Sequence, residues 1–169
     1  MGSLAQGMHN AVCIGIIVIG TNKDKFGTRK KVVLLWEIHI NNQIKTISRE
    51  YTFSFDERAT LRKHLESWRG GTFTKEKLSK FQLRNILGVP CRLVIRKNDG
   101  RKYVENILPF LKDAQKPISE TKYIYFDVTD EKTYPDFKNI PIYLMDKIKQ
   151  SPEYGLYGLD KFVGMKNNK

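Results

Sequence analysis

The sequence has little of what most enzymes and secreted domains are built from. It has two cysteines, Cys13 and Cys91, each inside an apolar, strand-like run. That pattern excludes a disulfide framework and a cysteine zinc site, and it predicts buried thiols in a reducing compartment, the cytoplasm. The three histidines, His9, His39 and His64, have no metal or triad spacing. No Walker A loop and no G-x-G-x-x-G occurs. Asp127, Asp130 and Glu131 cluster, but in a stretch that reads as a solvated loop rather than a metal site. No catalytic residue, metal or cofactor is expected. Long hydrophobic runs are missing too. The longest, Ala11–Gly20, is too short to span a bilayer. It has no basic segment before it and no small-residue cleavage site after it, so it does not read as a signal peptide. No membrane partner is expected. Acid is also scarce: thirty Lys and Arg face eighteen Asp and Glu, a net charge of +12 and a pI near 9.7. Such an excess favours a polyanion partner.

What is present alternates. Ala11–Gly20 is apolar and β-branched, a strand. Thr21–Lys31 carries Asn-Lys-Asp-Lys and a glycine, a loop. Lys31–Ile40 is a second strand, with Val32, Leu34, Trp36, Ile38 and Ile40 on one face, and Trp36 is assigned to the core. Asn41-Asn42-Gln43 turns the chain. Ile44–Phe55 is a third strand, alternating Ile47, Arg49, Tyr51, Phe53 and Phe55. The period then becomes helical. Ser54…Glu57 matches a capping box, Leu61, Leu65 and Trp68 mark a helix over Asp56–Arg69, and Gly70 ends it. Thr74 caps a second short helix, and Leu83–Gly88 is a helical turn before Pro90. Two strands follow, Cys91–Lys97 and Tyr103–Leu108, joined by the hairpin signal Asn98-Asp99-Gly100.

Three strands, a helical insert and two strands is the element order of an OB-fold. The expected architecture is mainly β with α additions. A five-stranded OB barrel spans residues 11–110, with its helical insert between strands three and four. Residues 1–10, polar and Gly-rich, are expected to be disordered or tag-derived. Residues 111–169 form an extension docked on the barrel, with a sixth strand in Thr121–Val128 and a helix over Ile140–Gln150. The apolar stripe of that helix is Ile142, Met145 and Ile148, and Met165–Lys169 is expected to fray.

An OB-fold holds oligonucleotides with the strand 1–2 loop, the strand 4–5 loop and the face of strands two and three. Here the first loop carries Lys23, Lys25, Phe26, Arg29, Lys30 and Lys31 against one acid, Asp24. The second carries Arg96, Lys97, Arg101, Lys102 and Tyr103 against Asp99. Strand three adds Arg49 and Tyr51. Cations neutralise phosphates and release counterions, and flat rings stack on unpaired bases. Phe26, Tyr51 and Tyr103 are the candidate platforms. The helix Asp56–Arg69 adds a basic face of Arg58, Arg62, Lys63 and Arg69, which is usually only solvated. The implied partner is single-stranded DNA, with RNA left open.

Several stretches resemble a family of small OB-like proteins encoded by bacteriophages and prophages, sometimes described as replication-associated or single-strand-binding. The resemblance runs from Ile16–Gly20 with Phe26-Gly27, through Leu35-Trp36-Glu37, to Ser48–Phe55 and Leu61–Gly70. It continues in Phe81–Gly88, Pro90-Cys91 and Tyr103–Ile107, and ends in Ile140–Tyr154. It implies a part in phage DNA replication or recombination in the host cytoplasm, alongside phage or host replication proteins. It brings no catalytic residues. Two departures stand out: Val18 replaces an Asp frequent in the family, and the chain ends on basic residues rather than the acidic tail of bacterial single-strand-binding proteins. Two other functions stay open. One is an interaction or inhibitor module whose basic face meets an acidic host protein. The other is a nuclease or nuclease subunit, which needs converging carboxylates. A homodimer is also left open.

Overall fold

The longest strand organises everything else. β1 (Gly7–Asp24) pairs along one edge with β2 (Gly27–Ile40) and shares its other edge between two partners. Its first half, Gly7–Val12, pairs antiparallel with β4 (Pro90–Asn98). Its middle, Gly15–Val18, pairs parallel with β6 (Ile124–Asp127). β3 (Gln43–Thr52) extends the sheet beyond β2, and β5 (Arg101–Leu108) extends it beyond β4. The structure is a computed structural model and describes residues 4–119 and 121–167.

Every residue from Ala11 to Gly20 is buried. A strand covered on both faces loses its polar alternation, which is why this run is continuously apolar. Ala11, Cys13, Ile16 and Val18 enter a first core with Val32, Leu34, Trp36 and Ile38 of β2. Ile17 and Ile19 enter a second core on the opposite face, with Val33. The register shift between Cys13 and Gly15 explains the change from odd to even positions. Helices α1 (Thr60–Arg69) and α2 (Lys75–Lys80) and the 3₁₀ turn Leu83–Ile86 cover the first core, with Leu61, Leu65 and Trp68 pointing in.

The second core holds the C-terminal extension: β6, a 3₁₀ segment over Glu131–Asn139, α3 (Ile142–Gln150), α4 (Glu153–Leu156) and α5 (Leu159–Asn167). The docking is close. Gly20 has φ +91°, and a Cβ there would lie 2.8 Å from Ser151 Oγ. Next to it, Glu153 accepts from the Thr21 N–H at 2.9 Å and from the Thr21 hydroxyl at 2.7 Å.

The sheet is open, which corrects the expected closed five-stranded barrel. The path is β3-β2-β1-β4-β5, and no ladder joins β3 to β5. Side chains occupy that seam. Arg49 Nη1 donates to the Val104 carbonyl at 2.5 Å, an acceptor that a closing ladder would use. The Tyr51 hydroxyl meets His64 Nδ1 at 2.7 Å, and the imidazole also bonds the Glu105 carbonyl.

Other boundaries are corrected as well. Gly7–Asn10 form strand rather than a disordered end, because β4 is long enough to pair with them; Met1–Ser3 lie outside the described residues. The predicted loop Thr21–Lys31 is mostly a hairpin arm with Lys25-Phe26 at its turn. α1 starts at Thr60 behind Ala59, not at the Ser54 box. Ser54 Oγ instead accepts the Asp56 N–H at 3.1 Å, while Phe53 and Phe55 lean on the core and hold the chain extended. On α3, Leu144 and Ile148 are buried whereas Ile142 is exposed. Residues 165–167 are helical, and the last two lie outside the described residues.

Candidate nucleic-acid interface

The hairpin arm of β1 and β2 continues the core ladder past the core itself. Its inner half, up to Gly20 and Lys31, is buried, and its outer half carries polar residues. Asp24 shapes the tip. Its carboxylate accepts the Phe26 N–H at 2.7 Å and pairs with Lys31, whose ammonium also donates to Thr52 Oγ1 at 3.1 Å. The Lys31 hydrogen bond, then the Phe26 N–H, hold the Asp24 carboxyl below its usual range. Lys31 is thereby buried and spent on Asp24. The same pairing removes the only acid of the arm as a source of repulsion toward an incoming phosphate.

Phe26 is 69 % exposed at the tip. The Lys25 ammonium lies 5.0 Å and the Arg29 guanidinium 5.8 Å from its ring centre. Both cations are exposed, as are Lys23 and Lys30, the latter placed 5.0 Å over Phe53. A cation over an aromatic face at an exposed site is worth only about 0.5–1 kcal/mol, so a base or a phosphate can displace it.

Below the tip lies a groove of about 440 Å³ between the arm, β3 and the segment leading into α1. It brings together Phe26, Arg29, Lys31, Arg49 and Tyr51, and adds Arg58. Arg49 is half-buried, and its guanidinium stands 5.2 Å from the Tyr51 ring centre. Among the described residues no carboxylate pairs with it. The acids of the groove have other partners: Asp24 has Lys31, Glu50 has Lys147 at 2.6 Å, and Asp56 has Arg58 at 3.7 Å.

Tyr51 is corrected as a stacking platform. It is 3 % exposed, and its hydroxyl is tied to His64. Burial pushes its phenol well above the usual tyrosine range on one side of that bond. Burial first, then the Arg49 charge, pushes the His64 imidazole down to about 4. Trp36 is fully buried in the core, as its face predicts.

The second hairpin turns at Asp99 and Gly100, both with positive φ. It does not line the groove. Its Lys97 and Arg101 are exposed, Lys102 is half-exposed and Tyr103 is 39 % exposed. Arg96 pairs with Glu105 at 2.9 Å. The groove is nevertheless linked to this hairpin, because Arg49 bonds the carbonyl of Val104, next to Tyr103.

The helix face read as basic is largely spent internally. Arg62 donates to the Phe55 carbonyl at 3.1 Å and faces Glu66, and Arg69 lies 4.5 Å over Phe73. Only Arg58 of that set reaches the groove, because the helix starts after it. Its signal was present as a cation beside Ser-Phe-Asp, but the misplaced helix start hid its position.

The Asp127 and Asp130 carboxylates serve turns, accepting the Thr129 and Lys132 amides at 2.8 and 3.1 Å. Among the described residues, no group of three or more His, Cys, Asp or Glu side chains is placed to hold a metal ion. Among them, too, no helix is long and apolar enough to cross a membrane. Comparison of the chain with family models, with curated proteins and with solved structures found no match.

Proposed function

We propose that this chain binds single-stranded nucleic acid, DNA in the first instance, without catalysing a reaction on it. The strand path β3-β2-β1-β4-β5, with helices between β3 and β4, supports an OB-type ancestry in which side chains bridge the seam that a ladder would close. One observation carries the reading. Phe26, an exposed ring between two cations, stands over a groove whose half-buried Arg49 has no carboxylate partner among the described residues. Stacking there takes a base, and Arg29, Arg49 and Arg58 take the phosphates on either side. Lys97, Arg101, Lys102 and Tyr103 form a second contact on the other hairpin. A role in phage DNA replication or recombination rests on the resemblance of the sequence segments alone.

A gel-shift series with oligo-dT, duplex DNA and oligo-U of equal length tests the proposal. The expected order is oligo-dT bound most tightly and duplex least, because a paired base cannot offer its face to Phe26. Absence of any shift at low salt refutes it. Intact oligonucleotide after incubation with Mg²⁺ is expected, and cleavage by the purified chain refutes the non-catalytic part.

A further inference from the structure

A second concavity lies away from the basic arm. It is a groove of about 700 Å³ between α1, α2, the 3₁₀ turn and the chain around Phe110 and Lys116. That volume is within the usual range for a bound side-chain cluster or small ligand. Its floor is apolar, built from Leu65, Trp68, Phe73, Phe81, Ile86 and Pro90. Four cations rim it, Arg69, Lys77, Lys80 and Lys116, and among the described residues no carboxylate lines it. The floor stays open because α2 is only six residues long and buries none of them.

We propose that this groove docks a short acidic peptide segment of a partner protein, with one or two bulky apolar side chains seated on the floor and carboxylates facing the four cations. Charge complementarity selects this occupant. A second copy of the chain would bring a net charge of +12 against a cationic rim. A nucleic acid would need rings that stand free, whereas Trp68 and Phe73 are 6 % and 8 % exposed and present a floor rather than a stacking face. The Trp68 indole N–H is already bonded to the Pro90 carbonyl at 3.0 Å, so the floor makes no demand for a polar ligand. Arg69 is held over Phe73 at 4.5 Å and by the Thr72 carbonyl at 3.1 Å, which fixes one rim charge in advance of binding. Lys77, Lys80 and Lys116 are exposed; Lys80 meets Glu76 at 3.3 Å in an exposed pair that a peptide carboxylate can replace.

The test is fluorescence anisotropy with three labelled peptides of equal length on the full chain. One is rich in Asp and Glu around a Leu-Phe pair, one has that pair replaced by Ser, and one has the acids replaced by Lys. The first is expected to bind saturably and the other two at least about tenfold more weakly, the loss of roughly one anchor or one charge cluster. Lys77→Glu with Lys80→Glu, both on the exposed face of α2, is expected to weaken the first peptide about tenfold or more and leave oligo-dT binding unchanged. Equal binding of the Ser peptide, no binding of the first peptide, or loss of oligo-dT binding in the double variant would each overturn the proposal. The last of these outcomes would assign the groove to nucleic acid and leave the function proposed for the arm standing.

Discussion

His64 is 7 % exposed, and its ring is committed on both sides. It donates to the Glu105 carbonyl, so its other nitrogen, Nδ1, accepts from the Tyr51 hydroxyl at 2.7 Å. A proton added to Nδ1 ends its acceptor role toward the Tyr51 hydroxyl and places a buried charge near Arg49. The imidazole is accordingly held near 4, against 6.5 when free, by burial first and by Arg49 second. The unfolded chain therefore takes up this proton before the folded one. The resulting stability is complete above pH 6.5 and is lost as pH falls from 6.5 toward 4. At about 1.4 kcal/mol per pKa unit the loss amounts to no more than about 3.5 kcal/mol. Thermal melts between pH 7 and pH 4 are expected to show Tm falling through that window, and to flatten there in His64→Gln. Tyr51→Phe removes only the hydroxyl. It is expected to cost about 1–2 kcal/mol of stability in urea melts, because a buried acceptor loses its donor. Oligo-dT affinity should stay unchanged; a drop in affinity without a drop in stability would return Tyr51 to the binding surface. Phe26→Ala should do the reverse, keeping the Tm and lowering affinity by about 1–3 kcal/mol of stacking.

Among the elements, the β1–β2 arm carries the most function for the least core. Its base is pinned by the C-terminal extension at Gly20, Thr21, Ser151 and Glu153. Gly20→Ala combines a positive φ with a Cβ that would lie 2.8 Å from Ser151 Oγ and 2.9 Å from its Cβ. Urea denaturation should show a loss of about 2 kcal/mol or more. A variant as stable as the parent would mean that the extension yields easily and does not set the arm. The arm was not legible as strand in the sequence, for a physical reason. Past Gly20 both strands leave the core, so the alternation that marks a strand disappears while the hydrogen-bond register continues. Where a strand borders the core, as at Val32–Ile38, its face was legible down to Trp36. The turns were legible because Asn41, Asn42, Asp99 and Gly100 need positive φ, which few residues tolerate. The capping box at Ser54 misled, since the pattern carries no information about Phe53 and Phe55 packing on the core and delaying the helix. On the second hairpin, Arg101→Ala with Lys102→Ala is expected to weaken oligo-dT binding and leave the Tm unchanged, since neither side chain is buried.

At the scale of the molecule, two cores share one central strand, and the C-terminal extension is built into the second of them. Closure of the sheet was beyond the reach of sequence patterns. It depends on whether β3 and β5 meet, and a side chain such as Arg49 that fills the seam looks like any other cation in an alternating strand. The charges divide similarly. Lys31 and Arg62 are spent on internal ion pairs and hydrogen bonds, while among the described residues Lys23, Lys25, Arg29 and Lys30 on the arm and Lys97 and Arg101 on the second hairpin are exposed and have no carboxylate ion pair. Net charge alone does not separate these groups; their partners do. The most direct test of the central claim is the equilibrium affinity for fluorescein-labelled oligo-dT measured across a salt series, for the parent chain and for Phe26→Ala with Arg29→Ala. A log–log slope of about −3 to −5 is expected for the parent, from roughly four to seven phosphate contacts on single-stranded DNA. In the double variant the slope is expected to be shallower and the affinity reduced by about tenfold or more. An unchanged slope and affinity in that variant, or no binding by the parent at low salt, would contradict that claim.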